Sequence, residues 1–293
     1  MDLSALTDFH RVAAAGSLGK ASRESGRPKA TLSRRIRRLE ESLGVRLVER
    51  GGRALRLTAE GQSLYERTHA LVRDIEEVGR NLASGNDQPR GQLRVSAPVL
   101  FAGTFGGRLT AEFAARYPEV RVALNANDRM VDPVDEGYDV VIRVNPHPQS
   151  ELVGRCFAHD ALHIVAPPSL PMPEATDPEN PMSVPAVAMP HQTDTPAWHI
   201  ERDGQTHHFV PDYRLLLASL NMVRAAVRAG AGAALLPRSL THRDINEGRL
   251  VLWGRQPGRT VELWALHSSH RLVSPKVSAF MEFLVESFPD RQL

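Results

Sequence analysis

The side chains best suited to touch nucleic acid lie together between residues 29 and 38: Lys29, Ala30, Thr31, Ser33, Arg34, Arg35, Arg37 and Arg38. Guanidinium groups pair with phosphates or with guanine edges, hydroxyls reach either, and a methyl can meet thymine. Between them Leu32, Ile36, Leu39 and Leu43 recur at three- and four-residue spacing. That predicts one helix with an apolar stripe and a basic outer face. It can pack on its own domain and still lie along DNA. Lys29, Ala30, Thr31, Ser33 and Arg34 then face base edges, while Arg35, Arg37 and Arg38 serve the backbone. The bland alternative is an ordinary solvated face rich in arginine, and the flanking elements decide against it.

Those elements must position the basic helix. Leu3, Leu6, Phe9 and Ala13 mark a first amphipathic helix, and Ser17 caps a short second one over 18–25 with Leu18 and Ala21 inward. Gly26-Arg27-Pro28 is the turn; Pro28 suits a helix start because its missing N–H is not needed there. The third helix runs over 29–43 and Gly44 closes it. Residues 45–50 and 53–57 flank Gly51-Gly52 and predict a two-stranded wing, with Arg50 and Arg53 at its tip within reach of a minor groove or a phosphate. Thr58 caps a long helix that Gly85 stops. In it Leu64, Thr68, Leu71, Ile75, Val78 and Leu82 alternate by four and three, a heptad seam with one polar position. A helix over 58–84 is about 40 Å long. We prefer a parallel or antiparallel pair between two chains to packing on the chain's own second domain. A dimer presents two recognition helices to half-sites about one helical turn apart, or multiples of it, in an interrupted palindrome.

Charge agrees. The chain of 293 residues carries a formal net charge of +2. Up to Leu57 there are thirteen basic and six acidic residues, so a head of +7 sits on a body of −5. That asymmetry places the nucleic-acid contact at the N-terminus. No secretory leader and no apolar run of membrane-spanning length is apparent, so a cytoplasmic protein without membrane contact is expected. The single cysteine, Cys156, excludes an intramolecular disulfide and a cysteine-rich zinc site. It lies in an expected strand, where a buried inert thiol is preferred over a redox sensor.

After a polar hinge at 86–91, strands and helices alternate. Strands are expected at 93–97, 120–124, 138–143 and 151–157, with helices at 107–117 and 131–136. The strand at 162–165 leaves this lobe. A proline-rich stretch over 167–185 enters a second one, with strands near 184–188, 197–202 and 206–210. A helix at 219–229, a strand at 233–236, a helix at 237–246, strands at 249–253 and 261–266 and a closing helix at 275–287 complete the pattern. Alternation argues for a mainly parallel sheet.

The first sixty-odd residues resemble the DNA-binding domain of LysR-type transcriptional regulators. The resemblance rests on Ala15-Gly16-Ser17, Leu32-Ser-Arg-Arg-Ile36, Leu39-Glu40, Leu43-Gly44, Leu47, Arg50 and Leu57-Thr-Ala-Glu-Gly61. Ser25, Arg27 and Pro28 depart from it: the family usually has leucine, valine and a capping serine there. A looser resemblance reaches the C-terminus through Arg90-Gly-Gln-Leu-Arg-Val-Ser-Ala-Pro98, Arg116-Tyr-Pro118, Glu136-Gly-Tyr-Asp-Val-Val-Ile-Arg143, Ala229-Gly-Ala-Gly232 and Leu236-Pro237. It implies the family's effector domain, similar to periplasmic binding proteins. It also implies a homotetramer, regulation of a neighbouring divergent gene, and contact with RNA polymerase.

The expected fold is therefore α+β in two domains. A winged helix-turn-helix at 1–60 is followed by a linker and dimerisation helix at 58–85 and the hinge at 86–91. A two-lobed α/β effector domain fills 92–293, with lobe I about 92–162 and 267–293 and lobe II about 163–266. Parallel α/β folds bind ligands beyond strand C-termini, and helix N-termini there offer N–H groups to anions. The effector candidates are Ser96, Pro98, Val99, Arg143, His191, Gln192, Thr193, Ser219 and Asn221. Arg143 could pair a carboxylate or make a structural salt bridge; Ser96 and Ser219 could meet ligand or cap helices. Arg143 and the helix N-termini suit a carboxylate; Leu217 and Leu220, standing where polar residues are common in the family, suit a partly apolar metabolite. No cofactor and no metal is expected: His207 and His208 are adjacent and point to opposite faces of a strand. No nucleotide-binding or hydrolase motif occurs, so the chain is not expected to be an enzyme. The function read here is a double-stranded-DNA-binding regulator modulated by a small molecule. The alternatives are a thiol-based redox regulator acting through Cys156 and a ligand-independent DNA-binding protein.

Overall fold

The structure, a computed structural model, describes residues 2–49, 55–84, 88–129, 136–147, 152–193, 197–202, 204–268 and 273–293. Two compact units divide the chain, one built on Met1–Gln88 and the other on Pro89–Arg129 with Asp139–Leu293.

In the first unit α1 (Leu3–Ala15), α2 (Leu18–Ser25) and α3 (Lys29–Leu43) surround Leu6, Phe9, Val12, Ala21, Leu32, Ile36 and Leu39, all buried. Local chemistry sets the ends. The Ser17 hydroxyl accepts the Lys20 N–H at 3.1 Å, and Gly16, Gly26 and Gly44 close the three helices in the left-handed region. Leu43 does not join the stripe; it is 38% exposed, because the last turn of α3 runs past the core. Glu40 does turn inward, and its carboxylate accepts the N–H groups of Leu47 and Val48 at 2.9 and 3.2 Å. That fastens the end of α3 to the base of the expected wing, where Val48 bridges Leu57 in antiparallel fashion. The wing tip, with Arg50 and Arg53, lies outside the described residues.

Thr58 caps α4 (Ala59–Ser84) by accepting the Gly61 N–H at 3.0 Å. Gly61 must be glycine: a Cβ there would fall 2.1 Å from the Leu47 carbonyl oxygen. The seam divides. Leu64, Tyr65 and Val72 pack into the head, and Thr68 Oγ1 meets His10 Nε2 at 2.8 Å. Leu71 and Ile75 stay 46% and 51% exposed. One face of α4 thus packs on its own head as far as Val72 and Glu76, which pairs with Arg11 at 2.7 Å, while Leu71 and Ile75 lie on another face in the open. Val78 and Leu82 lie outside the described side chains, and Gly85 outside the described residues.

Among the described residues the second unit holds one nine-stranded sheet ordered β2-β1-β3-β9-β6-β7-β5, with β4 pairing β8 and β9. Its strands are β1 (Gly91–Ala97), β2 (Val120–Ala126), β3 (Val140–Val144), β4 (Leu152–Ala166), β5 (Met182–Ala188), β6 (Trp198–Arg202), β7 (Gln205–Leu216), β8 (Ala234–Pro237) and β9 (Val251–Ser268). Between them lie α5 (Val99–Phe101), a π-helical turn Ala102–Gly106, α6 (Gly107–Arg116), α7 (Leu220–Arg228), α8 (Arg238–Asn246) and α9 (Pro275–Ser287). The helix expected from residue 107 therefore begins at Val99. The short helix expected over 131–136 falls almost wholly outside the described residues.

The sheet is mixed, not mainly parallel. β1 pairs β2 and β3 in parallel and β5 pairs β7 in parallel; every ladder made by β4 or β9 is antiparallel. Two pairs of expected strands are each one long strand. The strands expected at 151–157 and 162–165 are joined by β4, Leu152–Ala166, and those at 249–253 and 261–266 by β9, Val251–Ser268. These two strands run side by side from Leu152↔Ser268 to Ala166↔Val251, with register shifts at Cys156/Ala158, Ala161/His163 and Ile164/Val165. One end of β9 pairs β3 in lobe I, through Leu263–Leu266, and the other reaches β6 at Glu201↔Arg255 in lobe II. The return crossing lies inside β9, before residue 266, because a strand can serve two lobes without breaking its ladder. Lobe I centres on Phe101, Phe113, Phe157, Phe280 and Leu284, lobe II on Trp198, Phe209, Trp253, Val223 and Leu236. No described helix is long and apolar enough to cross a membrane.

Candidate functional site

Two surfaces collect the predicted side chains. On the head, Lys29, Ala30, Arg34, Arg37 and Arg38 are exposed along α3, and Thr31 and Ser33 are half-buried. Arg35 differs. Its guanidinium donates to Asp8 Oδ2 at 2.9 Å, and Arg27 donates to Asp8 Oδ1 at 2.5 Å; Arg11 lies 3.5 Å from the same oxygen. The Asp8 side chain has no exposed surface. A buried carboxylate without partners is costly, and three arginines around it satisfy its charge. Arg35 and Arg27 are therefore held to the body of the head. Asp8 has no sequence signal of its own; only the fold brings α1, the turn and α3 together at it.

Beside this cluster His10 is 8% exposed, stacked on Tyr65, which in turn stacks on His69. Burial, helped by the nearby His69, lowers its pKa from 6.5 to about 4. The ring is neutral at pH 7 and joins α1 to α4.

In the second unit the lobes enclose a cleft of about 440 Å³. Pro98, Val99, His191, Gln192, Ser219 and Asn221 line it. Leu220 lines it too, whereas Leu217 packs into the lobe II core. Three other candidates lie off its wall. Ser96 is fully buried in β1, and its hydroxyl accepts from both terminal nitrogens of Arg143 at 3.4 Å. Arg143 also donates to the Ile142 carbonyl at 2.7 Å, so it faces back along β3. The Thr193 hydroxyl donates to the Pro190 carbonyl at 2.9 Å, closing a 3-10 turn at Pro190–Gln192. Ser219 caps α7, accepting the Met222 N–H at 3.3 Å, and also faces the cleft, so its two readings coexist.

Residues that sequence reasoning passed over complete the wall. Phe101 and Phe105 supply aromatic surface, and Asp128, Asp160, Ser239 and Arg259 supply polar groups. Asp128 follows the end of β2, a strand C-terminus of the same kind as that of β1. Asp160 and Arg259 lie on the crossing strands, which were read as separate pieces. Asp160 accepts the Ser239 hydroxyl at 2.6 Å and so fixes the first turn of α8. Burial pushes its carboxyl above the usual carboxylate range, against the pull of the Ser239 hydrogen bonds. A small annex of about 40 Å³ beside Gln192, Leu162 and Arg259 reaches Trp198 and Tyr213.

Cys156 is half-buried on β4. Burial, then the Glu262 carboxylate, raises its pKa. A thiol held protonated is a poor nucleophile. His207 is buried, while His208 faces His199 across the β6–β7 ladder with Nδ1 atoms 2.9 Å apart. Among the described residues no group of three or more His, Cys, Asp or Glu could hold a metal ion.

A helix-turn-helix with a basic third helix, joined through a long helix to a two-lobed α/β domain around a cleft, defines a DNA-binding regulator that takes a small-molecule effector. The chain belongs to the LysR family. Residues 3–62 match the bacterial regulatory helix-turn-helix protein of the lysR family, and residues 86–289 match the LysR substrate binding domain. It is 29% identical to an HTH-type transcriptional regulator of Xanthomonas campestris pv. campestris, over 97% of this chain and 85% of that one. It is 26% identical to the HTH-type transcriptional regulator CrgA of Neisseria meningitidis serogroup C, over 96% and 95%. Among solved structures it is similar to the full-length Vibrio cholerae virulence activator AphB, with a TM-score of 0.54 and 25% identity over 98% of this chain and 99% of that one. The fold is also that of full-length LysG of Corynebacterium glutamicum, with a TM-score of 0.62 and 18% identity over 99% of both. The protein is a LysR-type transcriptional regulator, not an enzyme; neither the redox reading nor the ligand-independent one is favoured.

Proposed function

We propose that the chain acts in the cytoplasm as a homodimer paired through α4, and as a homotetramer of two such dimers, on an interrupted palindromic operator. Lys29, Ala30, Thr31, Ser33 and Arg34 read base edges; Arg37, Arg38, Arg50 and Arg53 hold phosphates. Arg35, which the sequence also gave to the backbone, serves first to tie α3 to Asp8. The effector is a small molecule with a partly apolar body in the interlobe cleft, and RNA polymerase is a further partner. The observation that carries this reading is the open cleft of about 440 Å³ walled by both lobes on two shared strands. A molecule that binds one closure of the lobes better shifts the population toward it.

Pairing through α4 is supported by Leu71 and Ile75, an exposed apolar strip beside the face that packs on the head. Footprinting with the full chain tests the whole reading. Two protected half-sites, reduced to weak single-site protection by Leu71→Asp with Ile75→Asp, are expected. Uniform protection without half-sites, or half-sites unchanged in the double variant, would refute pairing through α4.

A further inference from the structure

Acceptors of the protein's own already stand at the helix ends of the cleft, and they bear on the charge of a ligand there. Three helices open at its wall: α5, α7 and α8, at Val99, Ser219 and Pro237. Helix N-termini ordinarily receive anions. Here an acceptor of the protein's own takes an N–H at each start. The Val99 N–H donates to Asp128 Oδ1 at 2.9 Å, the Ser239 N–H and hydroxyl both go to Asp160, and Ser219 caps α7. Asn145 on the same wall is likewise used at both ends: its amide nitrogen donates to the Thr260 carbonyl, and its oxygen accepts the Glu262 N–H. A carboxylate placed at the start of α5 would meet the Asp128 charge. Among the described wall residues two carboxylates, Asp128 and Asp160, stand against one guanidinium, Arg259. Asp160 is 4% exposed and saturated by Ser239 and Ala161, whereas Asp128 is exposed at the cleft.

We propose that the cleft selects an effector with an apolar body and a protonated amine head, the amine donating to Asp128. The apolar body lies against Val99, Phe101, Phe105 and Leu220. This rests on the cleft being the effector site and adds the charge of what fills it. Asp128 is a specificity-determining residue in this role: its carboxylate both neutralises the start of α5 and repels anionic analogues of the same shape.

The test uses the full chain and three probes of matched body, 2-phenylethylamine, 2-phenylethanol and 3-phenylpropionate, at equal concentration, read by thermal melting and by titration calorimetry. The amine is expected to bind best. Asp128→Asn keeps an oxygen for the Val99 N–H and removes only the charge, so it should weaken the amine about tenfold or more and leave the alcohol unchanged. Tightest binding by the carboxylate, no binding by the amine, or equal amine binding in Asp128→Asn overturns the proposal. Val99→Trp, which fills the cleft from an exposed position, separates this from failure of the site itself. Carboxylate binding lost in Val99→Trp sinks the amine head alone. Binding of any probe that survives Val99→Trp removes the cleft as the site.

Discussion

Asp8 in the head and Asp244 in lobe II are both without exposed surface, and each is ringed by three arginines. Arg11, Arg27 and Arg35 surround the first; Arg224, Arg228 and Arg249 surround the second. The chemistry is the same and the consequences differ. Around Asp8 the arginines come from α1, from the turn and from α3, so the cluster draws on the basic charge of the DNA-facing elements. Around Asp244 they come from α7 and from the approach to β9, so the cluster ties α7 to α8, two helices that open at the cleft wall. A count of arginines in the head overstates what DNA can use; a count in lobe II says nothing about ligand at all.

The sharpest way to break this parallel is to remove each carboxylate. Asp8→Ala and Asp244→Ala should each destabilise their own unit by about 3 kcal/mol, the low end of the range for an orphaned buried charge because the arginines keep partial contact with water. Asp8→Ala should also abolish operator binding, while Asp244→Ala leaves the head's transition in place. Burial alone would raise the Asp244 carboxyl, yet Arg224 and Arg249 hold it below the usual range. Its contribution is therefore present above the ordinary carboxylate pKa and disappears as pH falls through the depressed value. Equal melting of the two units in both variants would dissolve the comparison.

A second probe lies next to Asp8. His10 titrates near 4 in the folded head and near 6.5 unfolded, so the unfolded chain binds the extra proton between those values. Stability from the neutral ring is complete above pH 6.5 and falls as pH drops toward 4, by about 2–3 kcal/mol. Denaturation of the full chain at a series of pH values should show that slope, and His10→Gln should flatten it. An unchanged slope in the variant would assign the acid sensitivity to other groups.

The finest distinction is between neighbours on α3. Arg34→Ala should cost about 1–3 kcal/mol on the operator if it reads a guanine, with little change on random DNA. Arg37→Ala should lower the salt slope of binding by about 0.9. Arg35→Ala should leave that slope unchanged and lower the melting temperature of the head instead. A reduced slope in Arg35→Ala would mean that it leaves Asp8 for phosphate when DNA is present.

Much of the head was readable because its signals are local. Ser17 and Thr58 cap helices within three residues of themselves, Gly44 ends α3, and the Leu32-Ile36-Leu39 stripe follows from helical period alone. Leu43 failed because period says which face a residue takes, not where the core ends. In the second unit each strand was found but two pairs were read as fragments. The register shift at Ala161/His163 and the polar run around Gly258 look like loops in sequence, yet the long β4–β9 ladder carries them. The cleft was half legible. The loops after β1 and before α7 were found by the strand-end rule, while Ser96 and Arg143, at the same kind of position, turned to each other inside the sheet.

The sequence by itself determined the kind of protein: a basic helix-turn-helix, a long apolar-seamed helix and an α/β domain, each set by the spacing of near neighbours. Tertiary structure decided how its charges are spent. Asp8 takes Arg35 out of the basic face, and Asp128 and Asp160 fill helix ends that would otherwise attract anions. Every one of these pairs joins groups at least nineteen residues apart, and an ion pair's strength depends on burial and on distance in space, neither of which a linear pattern contains.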